Sequence, residues 1–277
     1  MTAAYPPDHH LLRDLRFTFE HDDGARRSRA WMPVVPELCT DHGHARAGAL
    51  ATLVDVIGGG LAANAAAPAW IATADLTLHL VRGAAAGTTV EARGEILRAG
   101  RTTVVMEVSL VDDAERALGL ATMSFSVLPR RESNPDIGAV RGQGPATMAT
   151  NASRLDVPLF DALRAEVVDA DLGILAVPVS DWSQNSMGAM QGGVVAMVAE
   201  YAAETALRAA SGQSLVVADL QLTYLGFGRV GPVRTQADVL GLDAATGRGV
   251  VRVDLVDAGA ENRAMTVARV AAIRGLA

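Results

Sequence analysis

Two carboxylates stand where they could do chemistry. Asp55 lies in LATLVDVIGGGLAAN, Leu50 to Asn64, as the sole charge in a run of alanines, leucines, valines and glycines. Glu200 closes GAMQGGVVAMVAE, Gly188 to Glu200, a run of the same character. An acid among apolar groups has its pKa pushed upward by desolvation, which makes it a stronger base once ionised. It can then activate water or attack a carbonyl itself. Gly192 and Gly193, ahead of Glu200, let a substrate carbonyl come close to backbone amides, and the positive end of a helix dipole at that place favours an oxyanion. A buried base and a preformed oxyanion hole together suit acyl transfer to water. The histidines at 9, 10, 21, 42, 44 and 79 have no paired ligand spacing, so neither a metal nor a cofactor is expected.

The stretch around Asp55 also admits a membrane span, because Ala47 to Ala74 carries no other formal charge. An acid near its middle, Gly58 to Gly60 and Pro68 count against that. A stronger objection is that the stretch occurs twice. Set GHARAGALATLVD beneath GAMQGGVVAMVAE, and Gly43 meets Gly188, Gly48 meets Gly193 and Asp55 meets Glu200, all at an offset of 145. With one-residue gaps the register continues: ADLTLHL at Ala74 matches ADLQLTY at Ala218, and SLVDDAERA at Ser109 matches DLVDAGAEN at Asp254. Two copies of about 120 residues account for the length. The expected boundaries are residues 11–128 and 154–277, joined by a linker over 129–153 that is rich in proline, glycine and small polar residues.

Each copy reads as the same order of elements. RFTFEHDDGARRSRAWMPV predicts two strands around the turn signal HDDG, and EVVDADLGILAVPV is its counterpart. Next comes an apolar helix, from about Ala47 to Ala66 and from about Gly192 to Ala210, hydrophobic on nearly every face and therefore buried all round. Three or four strands follow, with alternation in TTVVMEVSLVD and GVVRVDLVDA and turns at RAGR and AATGRG. The pattern predicts an α+β fold, an antiparallel sheet curled around one central helix, twice over.

Composition narrows the partners. Of the 277 residues half are hydrophobic, and the formal net charge is −7, which repels a polyanion, so nucleic acid is not expected as a partner. The lone Cys39 forms no internal disulfide and MTAAYPPDHH lacks the basic and apolar regions of a signal peptide, so a cytoplasmic location is expected, with no membrane partner.

A strand pair, then a motif N-x-x-G-x-x-H-G-G entering a buried helix with an acid eight residues from its first glycine, then a run of strands, resembles the hotdog-fold thioesterases. More narrowly it is similar to the phenylacetate-pathway and 4-hydroxybenzoyl-CoA type, here as a tandem double hotdog. The second copy reads NSMGAMQGG, with Asn185, Gly188, Gly192 and Gly193, and with Gln191 in place of the family's histidine. The first reads TDHGHARAG, where Thr40 replaces the Asn, Arg46 the histidine and Ala47 the first glycine.

The resemblance implies sites between two hotdogs, the acid from one and the loop from the other. One site would pair Asp55 with Asn185, Gln191, Gly192 and Gly193; the other would pair Glu200 with Thr40, Arg46, Ala47 and Gly48. Some members place a hydroxyl eighteen residues after the acid to hold the attacking water, and here that residue is Thr73, with Val217 as its counterpart. The first pairing is therefore the expected site, acting on an acyl-CoA thioester. Each residue also has a plainer reading. Asp55 could cap a backbone amide, the glycines could serve close packing, Asn185 could build a turn and Thr73 could be there for β-propensity. A non-catalytic acyl-CoA binding or sensing module is the alternative function. A hydratase would need a His and Asp pair in another loop motif. The double repeat supplies its own two-copy unit, and further association of whole chains is expected.

Overall fold

The computed structural model describes residues 5–21, 26–129, 146–243 and 245–276. The first repeat runs α1 (Leu11–Asp14), β1 (Thr18–His21), β2 (Arg27–Pro33), α2 (Ala47–Ala66), β3 (Trp70–Leu80), β4 (Thr89–Ala99), β5 (Thr103–Val111) and β6 (Ala117–Leu128). After the short β7 (Ala146–Thr147) the second runs α3 (Leu159–Ala162), β8 (Glu166–Asp169), β9 (Ile174–Val177), α4 (Gly192–Ser211), β10 (Val216–Tyr224), β11 (Val233–Asp243), β12 (Arg248–Asp257) and β13 (Arg263–Ile273). Both central helices start where the sequence places them. Alpha-helix α2 stops short of Pro68, which disfavours helix in the residue before it, and α4 stops at Gly212, left-handed at φ 67° with its N–H on the Arg208 carbonyl.

All the strands join one antiparallel sheet in the order β7-β1-β2-β4-β5-β6-β3-β10-β13-β12-β11-β9-β8. The order is a palindrome of equivalent strands about the β3–β10 seam, with β7 added at one edge. At the seam Thr77 pairs with Gln221, its own counterpart in the repeat, so a local two-fold axis passes through that pair. Helix α2 packs on β2 to β6, and α4 on β9 to β13. The alternation read from the sequence appears as burial on every second residue along β5 and β12, which turns an apolar face to the helices.

The stretch expected as a linker holds some structure: β7 pairs with β1, and Met148 N–H donates to the Phe17 carbonyl at 2.8 Å. The rest of that stretch, residues 130–145, lies outside the described residues, as do most of the HDDG turn, the first residue of AATGRG and residues 1–4. The segment before β1 crosses to the other repeat. Leu11 N–H donates to the Trp182 carbonyl at 3.0 Å, and Trp182 Nε1 donates to Asp14 Oδ2 at 2.8 Å.

The two helices cross at a contact that only glycine permits. A Cβ on Gly48 would lie 2.6 Å from Met197 Cα, and one on Gly193 would strike Thr52 Cα. These are the same contact seen from each repeat, since 48 and 52 match 193 and 197. Gly59, deeper in α2, has nothing nearer than Phe125 Cε1 at 4.0 Å. Gly48→Val is therefore expected to destabilise the fold by about 1–3 kcal/mol or more through overpacking. Gly59→Ala, with room and a helical backbone, is expected to stabilise it by about 0.5–1 kcal/mol. Chemical denaturation of both variants checks the pair, and equal effects of one sign would contradict the crossing.

Candidate active site

The loops ahead of α2 and α4 are built alike, bond for bond. Thr40 N–H donates to the His44 carbonyl at 2.8 Å, and Asn185 N–H to the Ala189 carbonyl at 2.6 Å. Gly43 N–H reaches the Thr40 carbonyl, and Gly188 N–H the Asn185 carbonyl. Both glycines are left-handed, at φ 77° and 69°, a conformation that costs other residues energy. Arg46 and Gln191 then close each loop on the Leu38 and Ser183 carbonyls, both at 2.9 Å. The side-chain oxygen of Asn185 is used inside its loop: Oδ1 accepts from Met187 N–H at 2.9 Å and Ala189 N–H at 3.1 Å. That is the turn-building role, and Asn185 is not among the groups hydrogen-bonded to Asp55.

Five of the expected residues do meet. Asp55, on α2, is only 7% exposed. Its Oδ1 accepts from Thr73 Oγ1 of β3 at 2.9 Å, and its Oδ2 accepts from Gln191 Nε2 of the other repeat at 2.9 Å. A Cβ on Gly192 would lie 2.8 Å from Oδ2, so the carboxylate rests directly against the first turn of α4. Gln191 has a second duty there, its Oε1 capping the Val194 N–H at 3.2 Å. The Gly192 and Gly193 amides lie in that first turn, where the helix itself offers no acceptor. Burial pushes the Asp55 carboxyl up to about 6, with the Thr73 hydroxyl and the Gly193 amide pulling it partly back.

Glu200, the counterpart acid, meets its partner loop in a different way. Its Oε1 accepts from Ala47 N–H at 3.0 Å and its Oε2 from Gly48 N–H at 2.7 Å. The carboxylate thus fills the amides that an oxyanion would need. Glutamate is one methylene longer than aspartate, and Arg46 gives α2 no side-chain cap, so Glu200 caps that helix from the opposite repeat. Over it, Arg46 pairs with Glu204 at 2.9 Å and lies 3.7 Å above the Phe160 ring, which stacks on Tyr201. Burial, then the charge of Glu204, raise the Glu200 pKa. Val217 is buried where Thr73 stands in the other half and offers no hydroxyl.

Two contributors escape the motif. Tyr224, at the end of β10, donates its hydroxyl to the Gly192 carbonyl at 2.8 Å; the repeat alignment, which sets it opposite Leu80, carried that signal. His10 Nδ1 accepts from Leu12 N–H at 3.1 Å, which leaves Nε2 to donate to the Gln184 carbonyl at 2.7 Å beside Asn185. Burial lowers its pKa, so this neutral tautomer anchors the N-terminal segment to the loop. Among the described residues no group of three or more His, Cys, Asp or Glu side chains is placed to hold a metal ion.

With this geometry in view, the family model described as the thioesterase superfamily matches residues 42–118, from the loop before α2 into β6. Comparison with curated proteins gives no match. Among solved structures, an acyl-ACP thioesterase from Bacteroides thetaiotaomicron is 10% identical with a TM-score of 0.61, covering 91% of this chain and 99% of that one. The tesB protein of Mycobacterium avium subsp. paratuberculosis is 11% identical with a TM-score of 0.61, covering 88% and 92%. At such identities the shared property is the fold. Residues 42–118 thus match the thioesterase superfamily model, and the chain folds as a tandem double hotdog, one continuous antiparallel sheet whose two halves each wrap a central helix.

Proposed function

We propose that this protein hydrolyses an acyl-CoA thioester at one composite site, formed by Asp55 and Thr73 of the first repeat with Gln191, Gly192 and Gly193 of the second. The observation that carries the reading is the buried Asp55 carboxylate, hydrogen-bonded by Thr73 and Gln191 and lying against the glycine turn that opens α4. The thioester oxygen takes the Gly192 and Gly193 amides, where developing negative charge meets fixed donors and a helix dipole. Water adds to the carbonyl carbon as Asp55 accepts its proton. The intermediate then collapses, the C–S bond breaks, and the thiolate takes that proton to leave as free thiol. Direct attack by Asp55, with water cleaving the resulting anhydride, uses the same contacts. Thr73 and Gln191 fix the carboxylate in either course. In this reading the Glu200 half is structural, and the cytoplasm is the proposed location.

The titration of Asp55 fixes two signs. Activity requires the carboxylate, so kcat/KM should rise with pH through about 6 and level off above it. Stability runs the other way. An acid whose folded pKa of about 6 exceeds its ordinary 3.8 favours the folded state most when protonated, and that advantage disappears as pH rises across the interval. The difference corresponds to about 3 kcal/mol at 1.36 kcal/mol per pKa unit.

Thiol release from a broad acyl-CoA panel tests the activity. Wild type should turn over at least one member, Asp55→Asn should lose about 10²–10⁴-fold, and Glu200→Gln should retain activity. Activity lost only in the Glu200 variant would assign the wrong half, and tight binding without turnover by wild type would favour the binding module. In parallel, urea denaturation should find Asp55→Asn more stable than wild type at pH 8 by up to about 3 kcal/mol, with the gap closing towards pH 4. An Asp55→Asn protein less stable at every pH would contradict the buried-charge account.

A further inference from the structure

We propose that Tyr224 is a positioning residue that aims the Gly193 N–H at the reacting carbonyl by holding the peptide unit to which that N–H belongs. The inference rests on the composite-site reading above. The Tyr224 hydroxyl donates to the Gly192 carbonyl at 2.8 Å. That carbonyl and the Gly193 N–H are the two ends of one trans peptide, planar and pointing in opposite directions, so a donor that fixes the first fixes the second. The far end faces the Asp55 carboxylate, on which the Gly193 amide acts directly.

Three features make the hydroxyl more than a strand-end contact. Glycine stands on both sides of this peptide at the very start of α4, where no side chain on either residue helps to hold it. A fixed donor on the carbonyl adds a restraint to those of the helix before substrate arrives. The same bond polarises the peptide, so its N–H becomes a stronger donor to negative charge on the other side. The repeat supplies an internal comparison as well. At the equivalent place the first copy has Leu80, without a hydroxyl, and there the Ala47 and Gly48 amides are held by Glu200 instead. The hydroxyl therefore occurs in the half whose first helical turn is not capped by a carboxylate of that length. Burial and the neighbouring Asp55 and Asp75 keep the phenol protonated, hence a donor, well above neutral pH.

Tyr224→Phe removes the donor and keeps the ring, and Tyr224→Leu copies the residue of the other repeat. On an acyl-CoA that wild type hydrolyses, both variants should lower kcat by about tenfold, a fraction of the cost of deleting an oxyanion donor outright, with KM within twofold and the melting temperature nearly unchanged. Carbon-13 NMR of labelled aspartate should place the Asp55 titration midpoint higher in both variants than in wild type, because a weakened Gly193 N–H supports the carboxylate less. A merely structural tyrosine would leave that midpoint where it is. An unmoved midpoint with kcat intact overturns the proposal. If wild type hydrolyses no thioester, the hydrolase reading fails by itself, and the midpoint still decides the role of Tyr224: raised in Tyr224→Phe it stands, unmoved it falls.

Discussion

The close crossing of α2 and α4 is the constraint on which the site depends. Each helix brings its N-terminal turn to the middle of the other, and the approach is possible because Gly48 and Gly193 carry no side chain at the contact. The distance from the crossing to the acid is then set by the helix itself. Asp55 and Glu200 each lie seven residues past the crossing glycine of their own helix, about two turns, and both arrive at the first turn of the neighbour. The sheet holds the crossing in place. Because β3 and β10 pair in fixed register through Thr77 and Gln221, the two helix-bearing halves cannot slide without breaking the seam.

Given that scaffold, one methylene separates two outcomes. Aspartate at 55 stops against the glycine turn, held by a threonine and a glutamine, and its charge is costly enough to raise its pKa. Glutamate at 200 reaches further and satisfies two helix-opening amides with its own oxygens. Burial raises the pKa of both acids, so the difference lies in their partners: the first carboxylate is held by side chains beside a helix-opening turn, while the second is used by backbone amides as a cap. Substitutions nearby agree with this division. Arg46, in place of the glutamine, pairs with Glu204 and covers the capped end, and Val217 replaces the hydroxyl of Thr73 with an apolar contact.

Much of this was legible in the sequence, because duplication lets two copies report on one structure. The offset of 145 located the loops, both central helices and the acids, and the eighteen-residue count found Thr73, which does bond to Asp55. What stayed hidden depends on side-chain reach rather than on spacing. Nothing in a motif distinguishes an Asn that orients a carboxylate from one whose oxygen is taken by Met187 and Ala189. Nor does aligning Asp55 with Glu200 reveal that the longer acid closes its own amide site. Tyr224 was missed for a related reason: it stands at a strand end, where an aromatic residue satisfies β-propensity alone, and only the packing of α4 on its own repeat's strands brings it to Gly192. The N-terminal segment carries no periodic signal, and its anchors, His10 and Asp14, are recognisable only by the bonds they make to the second repeat.

Fusion of the two repeats makes such division of labour available. In a dimer of identical hotdogs every substitution appears in both sites, so an acid that capped one oxyanion hole would cap the other as well. In a single chain the halves vary independently, and a carboxylate released from one task can tie the repeats together. The Glu200 contacts do so directly, joining α4 to the start of α2, and Arg46 extends the tie to Phe160 of the segment before β8. On the opposite side of the two-fold, α1 and Trp182 make the corresponding tie without touching the Asp55 carboxylate. The structure thus braces both ends of the helix crossing, with the Glu200 carboxylate capping the start of α2 and Gln191 capping the start of α4.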